Sequence, residues 1–138
     1  MRRENIHLTL VFLGNVERAR IQRLEAIAAG QRARCFDLEF GAVGYWRHNR
    51  FAWVAPHAVP APLQRLVAAL EQALPEESFK FDRRRYVPHI TLVRDTRAPA
   101  VLPAPAFTWQ VREFVLVESA HGARGAAYRV LATWALAR

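Results

Sequence analysis

Cysteine is all but missing from this chain. Cys35 is the only one in 138 residues, which excludes an intramolecular disulfide and fits a reducing, cytoplasmic setting. Lysine is equally scarce: of twenty basic residues, only Lys80 is not arginine. Acidic residues number just twelve, which leaves a net charge of +8. No apolar run approaches the roughly 18 residues of a membrane span, and the basic N-terminus lacks the apolar stretch of an export signal. Histidine and cysteine never fall at HxxxH, HExxH or CxxC spacing, so neither a metal centre nor any other cofactor is called for. Ser78 and Ser119 sit in no nucleophile elbow, and Cys35 reads as a core residue, so a covalent acyl mechanism has no support either.

What is present points to one globular domain spanning residues 1–138. An apolar share of 52% and a charged share of 23% are ordinary for such a domain, so the charge imbalance is the informative feature. A surplus of guanidinium groups suits a phosphate-bearing partner, because each pairs phosphate oxygens in a fixed, bidentate geometry. A GC-rich genome explains the preference for arginine over lysine, but not the net surplus. Nucleic acid or nucleotide is the favoured partner class.

Along the chain, Ile6 to Leu13 reads as a strand broken by Gly14-Asn15. Glu17 to Ala29 carries Ile21, Leu24, Ile27 and Ala28 at helical spacing and stops at Gly30. Cys35 to Val43 alternates, with Phe36, Leu38 and Phe40 on one side and Asp37 and Glu39 on the other. A polar aromatic turn, Tyr45 to Arg50, leads to a short antiparallel strand from Phe51 to Ala55. The proline-rich connector Pro56 to Pro62 is the expected crossing between two halves. A helix follows from Leu63 to Leu74, with Leu63, Leu66, Val67, Leu70 and Leu74 on one face and Pro75 beyond its end. After Arg83-Arg84-Arg85, Val87 to Val93 forms another strand. The proline-rich stretch Pro99 to Pro105 separates it from a hairpin with arms Trp109 to Glu118 and Ala127 to Leu136, joined around Gly122 and Gly125. This order predicts an α+β fold of two pseudo-symmetric lobes, each an antiparallel sheet with a flanking helix, around a central cleft.

The candidate chemistry lies in two strings, His7-Leu8-Thr9-Leu10 and His89-Ile90-Thr91-Leu92. Strand alternation puts His7 with Thr9, and His89 with Thr91, on one side, and the branched apolar residues on the other. Either string alone describes an ordinary half-buried strand histidine; the repetition of one form in two halves is what singles them out. Two imidazoles supply the base and the acid that a metal-free phosphodiester hydrolysis needs near neutral pH. The Thr9 and Thr91 hydroxyls suit donation to the non-bridging phosphate oxygens, and Arg94, just past the second string, suits charge stabilisation. Tyr45, Trp46 and Tyr86 are aromatic candidates for stacking on a base.

The paired HxTx strings, together with the segment from Arg84 to Arg94, resemble those of the 2H phosphoesterases. The similarity is greatest to the RNA 2′,3′-cyclic phosphodiesterase branch, historically named 2′-5′ RNA ligase. Asn5 to Gly14 resembles that branch's first motif, and Glu118-Ser119, Gly125, Tyr128 and Trp134 resemble its closing hairpin. The resemblance implies two lobes around a basic cleft and metal-free hydrolysis of a 2′,3′-cyclic phosphate to a 2′-phosphate, with reversible 2′-5′ ligation as a side activity. It makes His7 and His89 the acid–base pair and Thr9 and Thr91 the phosphate donors. We take His7 as the acid to the 3′ leaving oxygen and His89 as the base to water.

That branch usually carries a strand and a helix ahead of the first motif, whereas six residues precede His7 here. An unpaired sheet edge and self-association through it are therefore expected. The rival reading of the whole chain is a catalytically weak RNA- or nucleotide-binding module on the same scaffold.

Overall fold

The computed structural model describes residues 5–48, 50–93, 106–122 and 125–138. Two helices and six strands account for most of them: β1 (Phe36–Trp46), β2 (Phe51–Pro56), β3 (Ile90–Val93), β4 (Phe107–Val111), β5 (Glu113–Gly122), β6 (Gly125–Ala135), α1 (Ile21–Ala29) and α2 (Ala61–Glu76). The strands form two antiparallel groups. One is a four-stranded sheet in the order β3-β2-β1-β4, and the other is the β5–β6 hairpin. This is the α+β class that the element order implied. Among the described residues, no helix is long and apolar enough to cross a membrane.

The core lies between α2 and one face of the four-stranded sheet. Leu63, Leu66, Val67, Leu70 and Leu74 of α2 are buried against Phe36, Leu38, Phe40, Val54, Ile90 and Val111. The apolar stripe foreseen for α2 is thus the face it buries, each side chain being worth about 1.5–3 kcal/mol relative to exposure. The helix begins two residues earlier than its pattern suggested, because Pro62 is harmless in a first turn that has no use for its missing N–H. It also runs past Pro75 before closing. The Ser78 N–H then donates to the Pro75 carbonyl and the Phe79 N–H to the Leu74 carbonyl, with Ser78 in the left-handed region at φ 63°. That is the Schellman arrangement, and buried Phe79 against buried Leu74 supplies its apolar contact. Arg20 sits across this end. It donates to the Glu77 carbonyl at 2.5 Å and lays its guanidinium 3.9 Å from the Phe79 ring centre, so part of the arginine surplus serves the fold.

Three strands differ from their expected form. Among the described residues, the segment from Ile6 to Leu13 joins a sheet through one antiparallel bridge, Leu8 to Ile90. Two of its carbonyls find partners elsewhere: the Tyr86 hydroxyl donates to the Thr9 carbonyl, and the Asp82 N–H to the Phe12 carbonyl. The second motif's strand starts at Ile90 rather than Val87, since Pro88 has no N–H to offer and the Val87 carbonyl is taken by a side chain. The expected long hairpin divides at Arg112. Residues Phe107–Val111 pair with Phe36–Phe40 of β1, while Glu113 onward pairs with β6. The stretch Pro99 to Pro105 and Arg94 lie outside the described residues.

Candidate active site

The single bridge between Leu8 and Ile90 sets the geometry of the site. Leu8 is the middle residue of His7-Leu8-Thr9 and Ile90 the middle residue of His89-Ile90-Thr91, and they pair antiparallel. The two motifs therefore lie side by side about a local two-fold axis, with His7 across from Thr91 and Thr9 across from His89. Leu8 and Leu10 pack on the core and Ile90 is buried in it, so all four polar side chains take the opposite face. His7 and Thr9 are exposed, His89 is half-buried and Thr91 is buried.

The two imidazoles are held alike. His7 Nδ1 lies 2.6 Å from the Asn5 carbonyl and His89 Nδ1 lies 2.8 Å from the Val87 carbonyl, each two residues back along the chain. A carbonyl only accepts, so the proton resides on Nδ1 in both rings and Nε2 is the nitrogen left to take or give one. An aromatic ring backs each imidazole. Tyr128 of β6 stands 5.0 Å from His7, tilted by 60°, and Trp46 of β1 meets His89 edge to face at 4.6 Å. Trp46 in turn packs on Trp53 at 5.3 Å, and Trp53 is the strand partner of Thr91. Trp46, a candidate for stacking on a base by its sequence, thus lies against a motif histidine. Tyr86 donates its hydroxyl to the Thr9 carbonyl at 3.1 Å, and burial pushes its pKa up, so it remains a donor at any ordinary pH.

A β-bulge aims Trp46. In β1 the register shifts between Phe40 and Ala42, so that Gly41 is the extra residue. Ahead of the bulge the even-numbered residues Phe36, Leu38 and Phe40 face the core; beyond it Val43 does, and Gly44 and Trp46 turn to the motif face. The glycines accept rings at close range. The His57 imidazole covers Gly41 and the Trp53 indole covers Gly44.

Charge near the site is local and exposed. Arg84 donates to the Asp82 carboxylate through Nε and Nη2, and those bonds hold the Asp82 pKa down at about 2. Arg83 lies over the Phe81 ring at 4.7 Å. A cavity of about 430 Å³ is walled by Ile6, Val54, Ile90, Leu92, Phe107 and Trp109, and His7 lines it as well. Its apolar walls do not suit a phosphate, which the open motif face does. Among the described residues, no three of His, Cys, Asp and Glu gather to hold a metal ion.

Known proteins share this fold. A sequence model of the 2′-5′ RNA ligase superfamily matches residues 1–123. The chain belongs to that superfamily. It is 33% identical over 135 residues to the RNA 2′,3′-cyclic phosphodiesterase of Escherichia coli K12, covering 96% of this chain and 77% of the relative. It is 31% identical over 103 residues to the Bacillus subtilis protein of the same name, covering 71% of this chain and 56% of that one. Escherichia coli LigT in apo form superposes with a TM-score of 0.91 at 31% identity, over the whole of this chain and 80% of LigT. LigT complexed with 3′-AMP gives 0.87 at 34% identity, over 97% and 78%. The resemblance drawn from the HxTx strings is thereby borne out.

Proposed function

We propose that this protein is an RNA 2′,3′-cyclic phosphodiesterase, hydrolysing cyclic phosphate ends to 2′-phosphomonoesters with two histidines and no metal ion. The observation that carries the reading is the symmetric pair of imidazoles, each with its Nδ1 proton on a backbone carbonyl and its Nε2 left to react. In the forward direction His89 Nε2 removes a proton from water, whose oxygen bonds to phosphorus. The bond from phosphorus to the 3′ oxygen breaks, and that oxygen takes a proton from His7 Nε2. The Thr9 and Thr91 hydroxyls donate to the non-bridging oxygens as charge builds there, and Arg94 adds positive charge. A 5′-hydroxyl in place of water yields a 2′-5′ linkage by the same steps, so ligation is the side activity. The relatives named RNA 2′,3′-cyclic phosphodiesterase support the substrate class, and the LigT complex with 3′-AMP supports a nucleotide in the site.

The test is incubation with a 2′,3′-cyclic nucleotide and a short cyclic-ended RNA in EDTA, with the product phosphate located by phosphorus NMR. A 2′-phosphate formed in EDTA supports the reading; binding without turnover would establish the nucleotide-binding module instead. The reading includes a cytoplasmic location, in keeping with the lone Cys35. It also includes self-association. Phe107 and Trp109 are exposed on β4, an edge strand beside the apolar cavity, and a second copy would cover them. Light scattering that reports a monomer at high concentration refutes this last part.

A further inference from the structure

The segment carrying His7 has little sheet to hold it, which raises the question of what fixes the imidazole. Besides the bridge at Leu8, the Tyr86 bond to Thr9 and the Asp82 bond to Phe12, the segment is anchored by Asn5. Asn5 is 8% exposed, an unusual burial for a carboxamide, and its Nδ2 donates to the Ala126 carbonyl at 2.9 Å. Ala126 accepts only, so the amide nitrogen must face it. The backbone carbonyl of the same residue receives the His7 Nδ1 proton at 2.6 Å. Two residues beyond Ala126 on β6, Tyr128 packs on the His7 ring. One end of the hairpin therefore holds both the backbone ahead of His7 and the ring itself, across 121 residues of sequence.

We propose that Asn5 is a positioning residue for His7: its buried carboxamide pins the carbonyl that keeps the proton on Nδ1, and so keeps Nε2 as the reacting nitrogen. The proposal rests on the reading of His7 as half of an acid–base pair. His89 has no such side-chain anchor in its own loop, since its carbonyl partner belongs to Val87. It therefore serves as an internal control. Without the Asn5 anchor, the carbonyl is free to turn: the neutral His7 ring is released to a tautomer mixture, and the charged ring is no longer held with Nε2 as the nitrogen that gives its proton to the leaving oxygen.

The experiment is nitrogen-15 NMR of the histidine side chains in the wild-type chain, in Asn5→Asp and in Asn5→Ala, with kcat and KM measured alongside on a cyclic nucleotide. Asn5→Asp keeps the size of the side chain and removes the donor. In the wild type, both His7 and His89 are expected to carry the proton on Nδ1. In the variants His7 becomes a tautomer mixture while His89 does not, and kcat falls about 10–100-fold, as a misplaced reacting group does, with KM little changed. Variants that keep the His7 signature and kcat, and lose only thermal stability, would reduce Asn5 to a packing residue. If neither variant folds, a wild-type His7 found with its proton on Nε2 still overturns the proposal. A wild-type chain inactive on cyclic phosphate would refute the proposed function and leave the tautomer measurement standing as its own test.

Discussion

Replacing Gly44 by alanine probes how far packing behind the site reaches into it. Gly44 pairs with Trp53 across β1 and β2, and a Cβ placed there would overlap Cζ2 of the indole and stand 2.5 Å from Cε2 and Cη2. Carbon atoms in ordinary contact are about 3.5–4.0 Å apart, so the ring must retreat by about 1.5 Å or more, or the strands must part. Overpacking of this kind costs about 1–3 kcal/mol. With a urea slope of about 1–3 kcal/mol per molar, the unfolding midpoint should fall by about 1 M. The indole N–H is buried without a hydrogen-bond partner among the described residues, so packing alone holds the ring and it has somewhere to yield. The displacement then passes to Trp46 at 5.3 Å and from Trp46 to His89 at 4.6 Å. A 1 Å error at a reacting group costs about 10²-fold, so even partial transmission should lower turnover about tenfold. In a Trp53→Ala background the ring atoms that the added methyl meets are gone, and Gly44→Ala should cost little further. Urea titration and turnover on a 2′,3′-cyclic nucleotide check both statements. A Gly44→Ala chain with wild-type midpoint and turnover would refute the argument.

Four further outcomes are expected. His7→Ala and His89→Ala should each lose about 10²–10⁴-fold in kcat/KM, with Thr9→Val and Thr91→Val losing less; a folded histidine variant with near-normal turnover would show the pairing to be wrong. Ser78→Gly should raise stability by about 0.5–1 kcal/mol, because Ser78 occupies the left-handed region where a Cβ is penalised, and an unchanged Tm would count against this. Burial raises the Tyr86 pKa in the folded chain, while an unfolded tyrosine ionises near about 10. The stability due to Tyr86 is therefore complete below about pH 10 and is lost as the pH climbs beyond it; Tm measured from pH 8 upward should decline less steeply in Tyr86→Phe. Affinity for RNA ends should fall as salt rises, and changing Arg83, Arg84 and Arg85 to glutamine should flatten that slope, with Arg84 contributing least because Asp82 already pairs it. Salt-independent binding in the wild type would dismiss the arginine surplus as a recognition device.

Properties carried by neighbouring residues were legible in the sequence alone. The stripe from Leu63 to Leu74 is a helix face because 3.6-residue spacing is a local fact, and all five of its residues are buried. Alternation within each HxTx string set the polar pair against the apolar pair; Leu8, Leu10 and Ile90 do meet the core, while Leu92 is exposed. The repetition of the string was enough to name the superfamily. Pairing over long range was a different matter. That Leu8 meets Ile90, that β4 leaves the hairpin for β1, and that Asn5 reaches Ala126 are matters of which backbone groups find partners once the chain is compact. Local periodicity does not encode this. Trp46 shows it best. Counted on from Phe36, Leu38 and Phe40 it belongs on the core face; the extra residue at Gly41 reverses the count and delivers it to His89 instead. A bulge shifts every side chain beyond it to the other face of the sheet, and only the register with a partner strand, set in three dimensions, says where the bulge lies.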